Sequence, residues 1–190
     1  GKNLPVLPWF VNIQTKKVWP TLVVNTVWLK ENETMKQMIL SAALTGAITP
    51  KHKNNNVPTT AEEIVESAYQ CSQSGASIVH IHVRDQDQNP SLDYELYNQV
   101  IKKIRKKCDV LICISTSSYG IEISDDNRLE LLNLDTDLAS LTFGNVIRKN
   151  GKNLNSQYYI EKALENMFRR KICPEIEIFN KNMLQNCIQY

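Results

Sequence analysis

Two of the three histidines, His80 and His82, are separated by one residue near the end of an apolar run that predicts a strand. Alternate residues of a strand project from the same face, so the two imidazoles are expected to converge. Neutral imidazole is a common zinc ligand, and a catalytic zinc site typically takes three protein ligands and keeps one position open. The pattern indicates either a metal site or a buried pair of hydrogen-bonded histidines.

Hydroxyl and carboxylate groups occupy comparable places on later predicted strands. Ser115 and Ser118 lie in a run of hydroxyl residues that follows one strand, and Ser140 and Glu177 interrupt the apolar runs of two others. Hydroxyls can bind a carboxylate or carbonyl oxygen. Each residue alone is also compatible with a polar loop or, for the glutamate, a surface ion pair. Their shared position on strands or at the carboxyl ends of strands, where α/β folds form sites, favours one common site.

The elements that must position these residues alternate between short apolar runs and amphipathic stretches, which is typical of βα units. We predict strands at residues 38–44, 77–83, 110–115, 138–143 and 175–179, and helices at 60–75, 92–107, 126–132 and 156–170. Such parallel strands are expected to be covered on both faces. In the last helix, the inward positions are predicted to be Ile160, Leu164, Met167 and Phe168. This order fits either an open doubly wound sheet or part of an eight-stranded barrel.

Composition excludes several classes of protein. The net charge of +2 selects no partner, and the basic cluster at 102–107 has no interleaved aromatic residues, so we expect no nucleic-acid binding. Five cysteines without a CxxC spacing favour reduced thiols in a cytoplasm. No apolar run approaches the roughly 20 residues of a membrane-spanning helix, so no membrane partner is expected.

Several ordered blocks of the sequence resemble the β-keto acid cleavage enzymes, whose named member is the 3-keto-5-aminohexanoate cleavage enzyme of lysine fermentation. The resemblance covers roughly residues 37–190. The blocks are Ser41–Ala47, Asn56–Glu63, Gly75–Asp85, Pro90–Asp93, Ile114–Thr116, Ala139–Leu141 and Pro174–Phe179.

The resemblance implies a TIM (β/α)8 barrel, of which about five βα units are present here, and a catalytic Zn²⁺. It implies that His80 and His82 bind the zinc, with a third protein ligand beyond Tyr190. Ser115 and Glu177 match residues with catalytic roles. Substrate contacts are implied for Ser115, Ser118 and Ser140.

The implied reaction is an acyl exchange in which a β-keto acid and acetyl-CoA give acetoacetate and a new acyl-CoA. One departure bears on the substrate, because Ile48 stands where the aminohexanoate enzyme has a glutamate. The cognate β-keto acid is therefore expected to be uncharged or differently charged at its far end. We expect a homo-oligomer for the full-length protein.

Two alternatives follow from the same residues. The chain could be an inactive truncated fragment, or the barrel could host an unrelated metal-dependent aldolase or hydrolase, because barrels support many chemistries. We interpret residues 1–34 as an N-terminal extension of unclear status and residues 35–190 as a truncated TIM-barrel domain. Since the implied acidic groups lie beyond Tyr190, we expect this chain alone to be inactive.

Overall fold

The computed structural model describes residues 39–149 and 151–190. The predicted extension at 1–34 lies outside the described residues. The strands are β1 Ser41–Ala43, β2 Ile78–Ile81, β3 Val83–Arg84, β4 Pro90–Ser91, β5 Leu111–Ile114, β6 Leu138–Thr142, β7 Val146–Arg148, β8 Gly151–Asn153 and β9 Cys173–Glu177. The helices are α1 Ala61–Gln73, α2 Tyr94–Lys107, α3 Asp125–Glu130, α4 Gln157–Arg170 and α5 Lys181–Cys187, and a 3₁₀ turn at Leu131–Asn133 follows α3.

Five strands form one sheet in the order β1-β2-β5-β6-β9, and every neighbouring pair is parallel. The order follows the chain, with helices between the strands, as the alternating pattern predicts. Two small antiparallel ribbons, β3-β4 and β7-β8, extend from the end of the sheet where the parallel strands finish. The ribbons and α5 were not predicted from the sequence.

The two faces of this sheet differ in chemistry. Residues paired across parallel strands point to the same side, and side chains alternate along each strand. One side packs with the helices in the main apolar core. Its strand residues are Val79, Ile81, Ile112, Ile114, Ala139, Leu141 and Ile176. The opposite side carries His80, Cys113, Ser140, Thr142, Glu175 and Glu177, as the strand registers require. The strands are therefore not uniformly apolar, but Cys113, Ser140, Thr142 and Glu175 are buried, so both faces are covered there as expected.

Helix boundaries follow the capping signals. The Thr60 hydroxyl accepts a hydrogen bond from the Glu63 amide at 3.2 Å, and the Glu63 carboxylate accepts one from the Thr60 amide at 3.2 Å. This reciprocal arrangement is the capping box that the sequence predicts at the start of α1. Asp93 and Ser156 cap α2 and α4 in the simpler way, each accepting from one amide of the first turn.

The prediction that Phe168 of α4 points inward was wrong. Phe168 is 86% exposed, whereas its neighbour Met167 is buried with Ile160 and Ala163. Successive helix residues point about 100° apart, so Met167 and Phe168 cannot share one narrow face. In the described part of the chain, no helix is long and apolar enough to cross a membrane.

Candidate metal and substrate site

The two histidines converge at the end of β2. His80 lies on β2 and His82 lies in the link to β3, and their Nε2 atoms are 3.3 Å apart. The ring planes are inclined at 54°. Two imidazole nitrogens that bind one tetrahedral ion at about 2.0–2.1 Å lie about 3.3–3.4 Å apart. The pair therefore either shares a hydrogen bond or presents two nitrogens to one cation, and its spacing fits a zinc ion.

A carboxylate holds the other side of the first ring. Glu175 Oε2 lies 2.8 Å from His80 Nδ1 and 3.0 Å from Cys113 Sγ. The strand register explains this meeting, because His80 is paired with Cys113 and Glu175 reaches the same face from β9. The side chains of His80 and Glu175 are only 12% and 7% exposed. Water therefore contributes little to satisfying their polar atoms.

Burial and neighbouring charges set the protonation of this group. Burial, with the charges of His80 and Arg84, lowers the pKa of His82 to about 3. For His80, burial opposes protonation, but the adjacent Glu175 carboxylate outweighs it and raises the pKa. Burial opposes ionisation of Glu175, yet the His80 imidazole keeps the pKa of this carboxyl below its usual range. His82 thus stays neutral at physiological pH and keeps the ring nitrogen lone pair that a metal ion needs.

Among the described residues, His80, Cys113 and Glu175 form the group of three whose potential ligand atoms lie within 4.8 Å of one another. Burial and the Glu175 carboxylate both raise the pKa of the Cys113 thiol well above its ordinary value. Metal ions bind thiolates rather than thiols, so an ion at Cys113 would have to displace the thiol proton. The neutral His82 imidazole needs no such proton loss to bind a zinc ion.

The predicted hydroxyl residues form a buried network at the ends of β5 and β6. The Thr116 amide donates to Ser140 Oγ at 3.2 Å, and the Thr116 hydroxyl donates to the Ser140 carbonyl at 2.6 Å. Ser115 Oγ accepts from the Ser117 amide at 3.3 Å. The Ser118 hydroxyl donates to Asn153 Oδ1 at 3.0 Å. Because Ser140 Oγ and Ser115 Oγ accept here, each keeps its hydroxyl proton free to donate to a substrate oxygen.

Arg128 holds this hydroxyl network from the side of α3. Its Nε and one terminal nitrogen donate to the Thr116 carbonyl at 3.1 and 2.8 Å, and the other donates to the Leu154 carbonyl at 2.8 Å. The guanidinium stacks 3.7 Å from the centre of the Tyr159 ring and is only 1% exposed. A planar cation with several fixed donors can join three chain segments in this way.

Glu177 and Ile48 occupy different surroundings. The Thr142 hydroxyl donates to Glu177 Oε2 at 2.5 Å, and Asn153 Nδ2 donates to the same hydroxyl at 3.4 Å. Burial raises the pKa of Glu177 above its usual range. Ile48 is 51% exposed in the loop that follows β1. Arg84 fixes that loop by donating to the carbonyls of Gly46 and Thr49.

A family model described as beta-keto acid cleavage enzyme matches residues 37–190. The chain belongs to this family. It is 36% identical over 158 residues to the 3-keto-5-aminohexanoate cleavage enzyme of Fusobacterium nucleatum, covering 82% of this chain and 58% of that protein. It is also 34% identical over 146 residues to the 3-oxoadipate:acetyl-CoA acetyltransferase of Cupriavidus necator, covering 77% and 51% respectively.

The chain spans about half the length of the curated relatives it matches. Among solved structures it is similar to apo ObcA, with a TM-score of 0.63, 23% identity and coverage of 69% of this chain and 32% of that one. This likeness shows the fold. The prediction of a partial TIM barrel is therefore confirmed, and an open doubly wound sheet is excluded.

Several residues around the site were not predicted from the sequence. The structure brings His80 together with His82, and Ser140 together with the loop after β5. It leaves Ile48 at the surface. Glu175 carried a signal that could have found it, because it precedes Glu177 with the same spacing as the histidines. Arg128 and Asn153 carried none, since nothing local distinguishes them from other polar residues.

Proposed function

We propose that the protein containing this chain is a zinc-dependent β-keto acid cleavage enzyme. It exchanges acyl groups between a β-keto acid and acetyl-CoA, giving acetoacetate and an acyl-CoA. The convergence of the two Nε2 atoms at 3.3 Å, in a member of this family, is the observation that carries the proposal. Relatives named for acetyl-CoA acetyltransferase and 3-keto-5-aminohexanoate cleavage activities support the reaction class.

In this proposal His80 and His82 hold the ion, and a further ligand comes from outside this chain. Zinc supplies a Lewis acid that stabilises negative charge on carbonyl oxygens. Ser115 and Ser140 orient the substrate, because each can donate its hydroxyl proton to a carboxylate or carbonyl oxygen. Their burial keeps water away from those hydrogen bonds and strengthens them.

Glu177 has the second catalytic role in the proposal. Burial raises the pKa of this carboxyl, and because Oε2 accepts from Thr142, the protonated form carries its proton on Oε1. A carboxyl held in this way can donate to a substrate oxygen and take the proton back. Ser118 is tied to Glu177 through Asn153 and Thr142, so the loop after β5 and the end of β9 are held in one arrangement.

The substrate is proposed to lack a cationic group at its far end. Ile48 offers an apolar side chain where a carboxylate could pair with an ammonium group. A β-keto acid that is uncharged or differently charged at its far end is thus preferred over the amino-substituted one. The matching assay compares acyl exchange with acetyl-CoA for neutral, acidic and amino-substituted β-keto acids. A preference for the amino-substituted acid would contradict this part of the proposal.

Metal content tests the ligand assignment. We expect H80A and H82A, made in a C-terminally extended version, each to lose stoichiometric zinc, measured by elemental analysis of the purified protein after dialysis. His52, the remaining histidine, is exposed on the loop after β1, so H52A is the matched control and should keep the wild-type zinc content. Equal zinc content in all four proteins would contradict the assignment.

Activity tests the reaction. We expect acyl exchange from a C-terminally extended version and none from the 190-residue chain, since the further ligand and acidic group are placed beyond Tyr190. Equal turnover by both would show that these groups are wrongly placed. Inertness of the extended version towards every β-keto acid would favour unrelated metal-dependent chemistry in the same barrel.

A further inference from the structure

Glu175 has a position that neither the sequence pattern nor the family reaction explains. Its Oε2 atom lies 2.8 Å from His80 Nδ1 and 3.0 Å from Cys113 Sγ. An ionised carboxylate can only accept hydrogen bonds, so both neighbours must donate to it. His80 therefore carries a proton on Nδ1, and in the neutral ring the lone pair lies on Nε2, 3.3 Å from His82 Nε2.

Glu175 could bind a metal ion directly or could orient His80. The first role is open because Glu175 lies close enough to act as a metal ligand with His80 and Cys113. The geometry favours one of them. The nitrogens of an imidazole direct their bonds away from each other, and Glu175 is on the Nδ1 side of the ring. An ion between the two Nε2 atoms lies on the opposite side. One ion cannot be bound by those two Nε2 atoms and by this carboxylate oxygen.

We propose that Glu175 is a positioning residue, which fixes the tautomer and the orientation of His80 so that Nε2 faces the metal position. Metal-binding histidines commonly donate their second ring nitrogen to a carboxylate, which orients the ring and makes the bound nitrogen more basic. The inference rests on the proposed zinc function and adds to it a specific residue and a specific contact.

Cys113 completes the arrangement. Its side chain is fully buried on β5, in direct register with His80, and its thiol donates to the same carboxylate oxygen. A second donor limits the rotation of the carboxylate, so Oε2 stays in front of Nδ1. Cys113 thus holds Glu175, and Glu175 holds His80.

Zinc affinity, measured by competition with a chromophoric chelator, tests the positioning role in the C-terminally extended version, which includes the further ligand. We expect E175A to bind zinc about 10–100-fold more weakly than wild type. E175Q should retain most of the affinity, because an amide oxygen can still accept from Nδ1. If Glu175 were itself a ligand, E175Q would lose as much as E175A, and that result would overturn the proposal. C113S should bind nearly as wild type, since a hydroxyl also donates to the carboxylate.

C173S is the matched control, because Cys173 lies two residues before Glu175 on the same strand. Cobalt-loaded wild type should lack a thiolate-to-cobalt charge-transfer band. Such a band in wild type and C173S that vanishes in C113S would show that Cys113 binds the metal, and would overturn the arrangement. Circular dichroism shows which variants are folded.

The tautomer of His80 provides a readout that needs no metal and that a general loss of stability does not move. At a pH where both imidazoles are neutral, ¹⁵N ring shifts should show the Nδ1-protonated form of His80 in wild type and E175Q, and a mixture in E175A. An Nε2-protonated His80 in wild type would overturn the proposal. If the tautomer is as expected but wild type binds no zinc, the proposed metal function fails and the positioning contact stands. If zinc binds and E175A matches wild type, only the positioning role fails.

Discussion

The two faces of the parallel sheet are built from the same short strands, but one face forms the apolar core and the other carries polar side chains. On β2, Val79 and Ile81 enter the helix-covered core, while His80 points to the other side. On β5, Ile112 and Ile114 join that core, and Cys113 faces Glu175. One residue step along a strand therefore separates apolar packing from polar chemistry.

The difference lies in how each face satisfies its atoms. The helix side removes apolar side chains from water, which stabilises the fold in proportion to the buried area. The polar side gains little from burial and is stable only where each donor meets an acceptor. The contacts of Glu175 with His80 and Cys113, and of Glu177 with Thr142, meet that requirement. Substitutions on the two faces should therefore have effects of different size and kind.

The largest effect on stability is expected at Arg128. This charged residue is an exception to the contrast between the faces, because it is buried on the apolar helix side. R128A leaves the carbonyls of Thr116 and Leu154 without these donors and removes the guanidinium stacked on the Tyr159 ring. We expect a loss of about 3–5 kcal/mol in the free energy of unfolding, measured by urea titration.

The matched control for R128A is R105A. Arg105 is partly exposed and pairs with Asp137 at 2.7 Å. A loss of about 1 kcal/mol or less is expected there. If R128A cost no more than R105A, the Arg128 network would not be the support of the hydroxyl loop.

A smaller effect is expected from paired substitutions on β2 that compare the two faces directly. Ile81 is fully buried in the main core, and Ile78 lies on the opposite face in a small cluster with Cys113 and Leu138. We expect I81A to cost about 2–5 kcal/mol in urea unfolding. I78A should cost less, because fewer apolar neighbours surround it among the described residues. Equal losses would mean that the faces do not differ in packing.

Part of this contrast could be predicted from the sequence. The spacing of His80 and His82 indicated convergence, and the capping signal at Thr60 placed α1. Both depend on residues close together in the chain. The partnership of His80 with Glu175 spans 95 positions and depends on the order of strands in the sheet. Local patterns do not contain that information, and the same reason explains why the links from Arg128 to Leu154 were not found.

Phe168 shows a different limit. Periodicity identified α4 correctly but allowed an apolar stripe wide enough to include both Met167 and Phe168. Packing against the sheet selects a narrower face, and only Met167 lies on it. An apolar residue at the margin of a helix face can thus be exposed without changing the pattern that predicts the helix.

The smallest effect, and the one that most sharpens the contrast, is the pH dependence of stability at Glu177. Burial raises its folded-state pKa, so the folded chain favours the protonated carboxyl. Such a group contributes stability that is fully present below its unfolded pKa of about 4.3 and is lost as pH rises through the folded value. E177Q stays neutral throughout, so its unfolding free energy should lack this decline and equal or exceed that of wild type near neutral pH.

E161Q, on the surface of α4, is the control and should keep the wild-type profile. A steeper decline in E177Q would mean that the ionised carboxylate is stabilised in the folded chain, and the polar face would then favour a charge that its burial should oppose.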